Sequence, residues 1–155
     1  MAIQGLDRLR KKLKRLPELA REEIAKAMEQ SANEIVALMK SLAPVETGDL
    51  QISISWTWGD APKGSLALGT VRQKGAGTGN MVITIFAGGG EAYYARFIEF
   101  GTSPFTNGGR FAGSANPGVK AQPFFYPAYR ANRKRAKSRI TRAINKSAKR
   151  AAAGG

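Results

Sequence analysis

The chain reads as an α+β fold: a long N-terminal helix, a small antiparallel sheet of about three to four strands, a short aromatic helix and a long basic C-terminal helix. Three observations carry that reading. Apolar residues recur at helical spacing up to Leu42 and again beyond Tyr129. Between those stretches, apolar and polar residues alternate in short runs bounded by Gly, Pro and Asp. The charge is also lopsided: no acidic residue follows Glu99, whereas positions 100–155 hold 12 Lys and Arg.

In the first helical segment Leu6, Leu9, Leu13 and Leu16 share one face, with Arg and Lys on the others. Pro17 is expected to interrupt it and to open a second helix, where a missing N–H costs nothing. Glu18, Glu22 and Glu23 favour such a helix start. This second helix is expected to reach Leu42 and to span roughly 40 Å. Its apolar stripe is Ala20, Ile24, Ala27, Met28, Ser31, Ile35, Leu38 and Leu42. Ala43-Pro44 stops it, because a residue before Pro is pushed out of the helical region.

Residues 46–49 read as a turn. Leu50, Ile52, Ile54, Trp56 and Trp58 then alternate with polar residues, which predicts a half-buried strand over 50–58. Residues 65–71 read as a weaker strand and 81–87 as a clear one, joined by a flexible hairpin tip over 73–80. The run 91–100 carries Tyr93, Tyr94, Phe97 and Phe100 and reads as a short helix stopped by Gly101. Residues 103–121 read as a long Gly-, Asn- and Pro-rich loop of the kind that often serves function. Tyr129, Ala136, Ile140, Ala143 and Ile144 give the last helix, to about Arg150, a narrow apolar stripe with basic residues on both sides.

A length of 155 residues fits one domain over 1–150, followed by a frayed tail over 151–155. The chain has no Cys and no His, so disulfides, thiol nucleophiles, zinc-finger sites and histidine bases are excluded. No stretch approaches the roughly 18 apolar residues of a membrane span, and the N-terminal residues form no apolar signal core. Neither membrane nor cofactor is expected.

Candidate chemistry is sparse. Gly75, Gly77 and Gly79 lack the following Lys and Ser or Thr of a phosphate loop and lead into a strand instead of a helix. Glu46 with Asp49, or Glu91 with Glu99, form no spacing that marks an acid–base pair, and Glu99 is expected to pair with Arg96 or a neighbouring subunit. No enzyme is expected. The strongest signal is the net charge of +14, concentrated after position 130. Arg130, Arg133, Lys134, Arg135, Lys137, Arg139 and Arg142 are the candidate contacts to a polyanion, with no acidic neighbour on their own helix. Either an acidic protein or double-stranded DNA held through its phosphates would serve.

Three ordered motifs complete the reading: Ala43-Pro44-Val45-Glu46-Thr47-Gly48-Asp49-Leu50 with Ser53-Ile54; Tyr94-Ala95-Arg96-Phe97-Ile98-Glu99-Phe100-Gly101-Thr102; and Gln122-Pro123-Phe124-Phe125-Tyr126-Pro127-Ala128. In this combination the chain resembles the tail-completion or minor-tail (neck) proteins of long-tailed phages and prophages, including the Z-type minor tail proteins of lambdoid phages. Gln51 departs from the pattern, standing where the family often has a basic residue. The resemblance implies a structural protein of the virion neck or tail, made in the host cytoplasm. It implies a homo-oligomeric ring, usually a hexamer, joining the capsid connector to the tail tube, contacting neighbouring neck and tail proteins and letting DNA pass. The turn and subunit-contact candidates are Pro44, Thr47, Gly48, Leu50, Tyr94, Phe97, Glu99, Gly101, Pro123, Phe124 and Pro127. The alternative is a stand-alone basic nucleic-acid-binding or packaging protein.

Overall fold

In the computed structural model, residues 6–46, 48–67, 71–73 and 81–153 are described. Two long helices, α1 (Leu6–Leu42) and α4 (Phe125–Ala152), lie side by side. They are antiparallel: Glu23 at the middle of α1 meets Arg150 near the end of α4, and Glu34, farther along α1, meets Arg135 and Arg139, nearer the start of α4. Between them in sequence come α2 (Asp49–Ser53), the strands β1 (Ser55–Trp58), β2 (Leu66–Ala67), β3 (Val71–Gln73) and β4 (Met81–Ala87), and α3 (Ala95–Phe100). A small hairpin follows, β5 (Phe105–Thr106) and β6 (Ala115–Asn116). The architecture is the expected α+β one.

β4 is the centre of an antiparallel sheet. β1 pairs along one register (Ser55 with Phe86, Trp58 with Ile83), while β2 and β3 pair with β4 in two separate pieces. Met81, Ile83, Ile85 and Ala87 are buried, as a period of two requires of a strand with one face against the helices. β1 is fastened to α1 by its two indoles. Trp56 Nε1 donates to Asn33 Oδ1 at 2.7 Å and Trp58 Nε1 donates to Glu29 Oε1 at 3.2 Å. The core joins Ile24, Met28, Ile35 and Met39 of α1 to Ile83 and Ile85 of β4 and to Phe124 and Phe125 at the head of α4. Phe124, Phe125, Met39 and Ile54 are its largest fully buried side chains, each worth about 1.5–3 kcal/mol over exposure.

Several local expectations are corrected. α1 continues through Pro17 without a break. Proline's fixed φ near −65° is itself helical, and the cost is one backbone hydrogen bond. At the far end of α1 the buried side chains are Ile35, Met39 and Ala43, while Leu42 is exposed and Leu38 only half-buried. The stripe follows steps of four, three and four through Met28, Ala32, Ile35 and Met39, as 3.6 residues per turn demands. The strand expected over 50–58 begins only at Ser55. Residues 49–53 are helical, so Leu50 and Ile54, four apart, both enter the core while Ile52 is 78% exposed. That turn is useful: Gln51 Nε2 donates to the carbonyl of Lys40, one of the unpaired carbonyls at the end of α1. Of the weaker strand expected over 65–71, Leu66–Ala67 and Val71 are in strands, and residues 68–70 lie outside the described residues.

The long loop over 103–121 is a built element. Phe105 pairs with Asn116, Thr106 with Ala115, and Thr102 bridges Val119. Asn107 Nδ2 donates to Ser114 Oγ across the tip. Backbone bonds such as Asn107 N–H to the carbonyl of Ser114 at 2.9 Å and the side chains of Thr102, Asn107, Ser114 and Asn116 hold it together. Thr47 and the tip over 74–80 lie outside the described residues.

Candidate assembly surface

The three sequence motifs, far apart in the chain, meet at one end of the molecule. α1 delivers Pro44 there, and Gly48 turns the chain with φ +87°, a left-handed value that glycine adopts without strain. Gly48 directly precedes α2, which drives Leu50 into the core. The N–H of Gly101 donates to the carbonyl of Phe97 and ends α3. A Cβ on Gly101 would stand 2.7 Å from the carbonyl oxygen of Val119, so the hairpin can close against it only because it is glycine. Together these residues line a cleft of about 840 Å³ that includes Pro44, Gly48, Leu50, Tyr94, Phe97 and Gln122. Tyr93, Phe105 and Val119, which motif reasoning passed over, complete it. Its rim is apolar and open: Tyr93 is 68% exposed and Phe105 54%. Outside the cleft, Val45, Phe100 and Phe111 are also exposed, and Phe100 stands 5.8 Å from the ring of Tyr126. Exposed apolar groups on this scale mark contact surfaces more often than chance surface placement does.

Glu99 does something other than the expected pairing with Arg96 or a neighbouring subunit. It is 4% exposed, and its carboxylate accepts hydrogen bonds from the backbone N–H groups of Phe124 (2.8 Å) and Phe125 (2.9 Å) at Oε2 and of Tyr126 (3.0 Å) at Oε1. These are the donors that the first turn of α4 cannot satisfy internally. The next residue is Pro127, which has no N–H to satisfy. One carboxylate thus completes the hydrogen bonding of the helix start and places a negative charge at the positive end of its dipole. Gln122 N–H donates to the carbonyl of Ile98 at 2.8 Å, fixing the approach. The second and third motifs are one device. Pro123 and Pro127 bracket the entry, and Phe124 is locked in the core between them.

The polyanion candidates divide. Arg139 is only 14% exposed as a side chain and reaches inward: Nη2 meets Glu34 Oε1 at 2.6 Å, and Nη1 donates to Ser31 Oγ at 3.1 Å. Arg135 Nε lies 3.4 Å from the other oxygen of Glu34. The Arg139 hydrogen bond, aided by the charges of Arg139 and Arg135, outweighs desolvation and holds the Glu34 carboxyl below its ordinary range. Further along, Glu23 pairs with Lys146 and Arg150 and accepts from Ser147 Oγ. The acids absent from α4 are therefore supplied by α1, from 105 positions earlier in the case of Glu34. Arg130, Arg133, Lys134, Lys137 and Arg142 remain exposed and make no ion pair among the described residues.

No group of three or more acidic, His or Cys side chains suited to a metal occurs among the described residues, and no described helix is long and apolar enough to cross a membrane. The described residues thus form a basic α+β fold with aromatic side chains exposed around one cleft. The chain belongs to the bacteriophage HK97-gp10-like family of tail components, whose model matches residues 7–101. The match takes in the first motif and the second as far as Gly101, and ends before the third. No curated protein and no solved structure matches the chain.

Proposed function

We propose that this tail component is a non-enzymatic structural subunit of the virion neck or tail. In this reading it closes into a ring, with six copies as the expected number. The ring joins the capsid connector to the tail tube and lets DNA pass. The observation that carries the proposal is the convergence of all three motifs on one exposed aromatic cleft. Residues held in place for chemistry would surround a reacting group; here the cleft presents Tyr93, Phe97 and Phe105 outward. A ring offers each copy two different neighbours and so a use for such a surface.

The test is a phage lacking the protein. Filled heads and finished tails should accumulate unjoined, and adding the purified chain should restore plaques. Supplying Phe97→Asp instead should fail, because a charge then sits in the cleft of an otherwise folded subunit. Infectious particles formed without the protein would overturn the reading. The alternative, a stand-alone nucleic-acid-binding or packaging protein, draws on the exposed cations of α4. It requires log affinity for duplex DNA to fall with log salt by about 0.9 per phosphate contacted, at protein levels where no particle forms.

A further inference from the structure

On both α4 and α1 some charged side chains pair across the two helices, while others make no ion pair among the described residues. On α4, Arg135, Arg139, Lys146 and Arg150 turn toward Glu34 and Glu23. Arg130, Arg133, Lys134 and Lys137 follow the spacing i, i+3, i+4, i+7, which is a different face of the helix. That stripe covers about 10 Å of axis. Beside it runs an apolar groove of about 360 Å³ between α4 and β4, floored by Ile83, Ile85 and Ile140 and edged by Arg133 and Lys137.

On α1, Glu23 and Glu34 face α4. Glu18, Glu22 and Glu29 follow i, i+4, i+11 along the flank that meets β1, where Glu29 accepts from the Trp58 indole. With Asp60 they line a cleft of about 810 Å³, whose one described cation is Arg21 and whose apolar side includes the exposed Trp58. The basic stripe and the acid-lined cleft lie on opposite sides of the α1–α4 pair, since each faces away from the Glu23 and Glu34 ion pairs. A molecule cannot bring its own together, but two copies can.

We infer that the basic stripe of α4 docks on the acid-lined cleft at α1 and β1 of a second copy of this chain, forming a head-to-tail contact. Two patches that differ and lie on separate sides give a heterologous interface, the kind that generates rings. Four cations oppose four carboxylates. The apolar groove beside the stripe and the indole within the cleft give the contact an apolar centre, which a protein surface uses and a row of phosphates does not. The inference rests on the ring proposed above and names the lateral contact within it.

Charge reversal tests it. Arg130→Glu, Arg133→Glu, Lys134→Glu and Lys137→Glu together make both patches acidic. Glu18→Lys with Glu22→Lys makes both basic. Each variant alone should stay monomeric by light scattering at concentrations at least tenfold above those at which the wild type assembles. Mixed in equal amounts they should assemble again, because every contact in an alternating ring then pairs opposite charges. Recovery on mixing also demonstrates that both variants fold. A variant that assembles like the wild type, or a mixture that does not recover, overturns the contact while leaving the ring in place. A wild-type chain that remains monomeric even with tails present takes down the ring itself. If the stripe variant keeps its assembly but loses retention of a duplex of unrelated sequence, the stripe is a phosphate contact and the inference falls.

Discussion

The two ends of α4 are both held by glutamates, and they are held in opposite ways. At the N-terminus a single buried carboxylate, Glu99, binds three backbone N–H groups and no cation in the described contacts. Along the rest of the helix the half-buried Glu34 and Glu23 bind side-chain cations, most of them well exposed. The first arrangement has no water to replace the bonds if they break, whereas the second does. Burial, more than the number of charges, therefore decides which contact the fold depends on.

The largest expected effect is at Glu99. Glu99→Ala leaves three donors unsatisfied in the core and should cost about 3–5 kcal/mol in urea unfolding. A loss under about 1 kcal/mol would mean that water reaches the helix start and that the contrast between the two ends is false. Gly48→Val attacks the same end of the molecule without touching any charge. Nothing lies within 4 Å of the added Cβ, so backbone strain at φ +87° is the whole effect, about 1–3 kcal/mol. An unchanged melting temperature would show that the turn relaxes freely.

Glu34 should reveal itself through pH. Its carboxyl is held below the ordinary value of 4.5, so it contributes stability that is present above that pH and is lost as pH falls through the lower folded value. Melting temperatures from pH 6 to pH 3 should drop less steeply for Glu34→Gln than for the wild type, with the gap between the curves constant above about pH 4.5 and closing below it. Parallel curves would mean that Arg139 does not hold Glu34 in solution. Glu23→Gln should have the smallest effect, at most about 0.5 kcal/mol, and it should vanish in 1 M salt. A larger or salt-resistant loss would place Glu23 with Glu99 as a fold-determining anion.

Much of this was legible along the chain. Local periodicity marks α1, α4 and β4, because side-chain spacing reports directly which face a helix or strand buries. Punctuation by Pro44, Gly48 and Gly101 marks the turns, since these residues act through their own backbone angles. The same local logic failed where two local solutions compete. Leu50, Ile52 and Ile54 alternate like a strand, yet one turn of helix buries Leu50 and Ile54 together and lets Gln51 reach Lys40. Residues 103–121 looked like a loop because the cross-strand bonds of a short hairpin leave almost no trace in composition.

The sequence by itself determined the α+β class, the placement of the charge after Glu99 and the resemblance to phage tail components, which the family match over residues 7–101 bears out. Only the tertiary structure decided what the charges do. Glu99 lies 25 positions from Phe124, Glu34 105 from Arg139, and Glu23 127 from Arg150. No spacing rule reaches across such intervals: the Glu34 and Glu23 pairings exist only after α1 and α4 have packed antiparallel, and those of Glu99 only after α3 has met the head of α4.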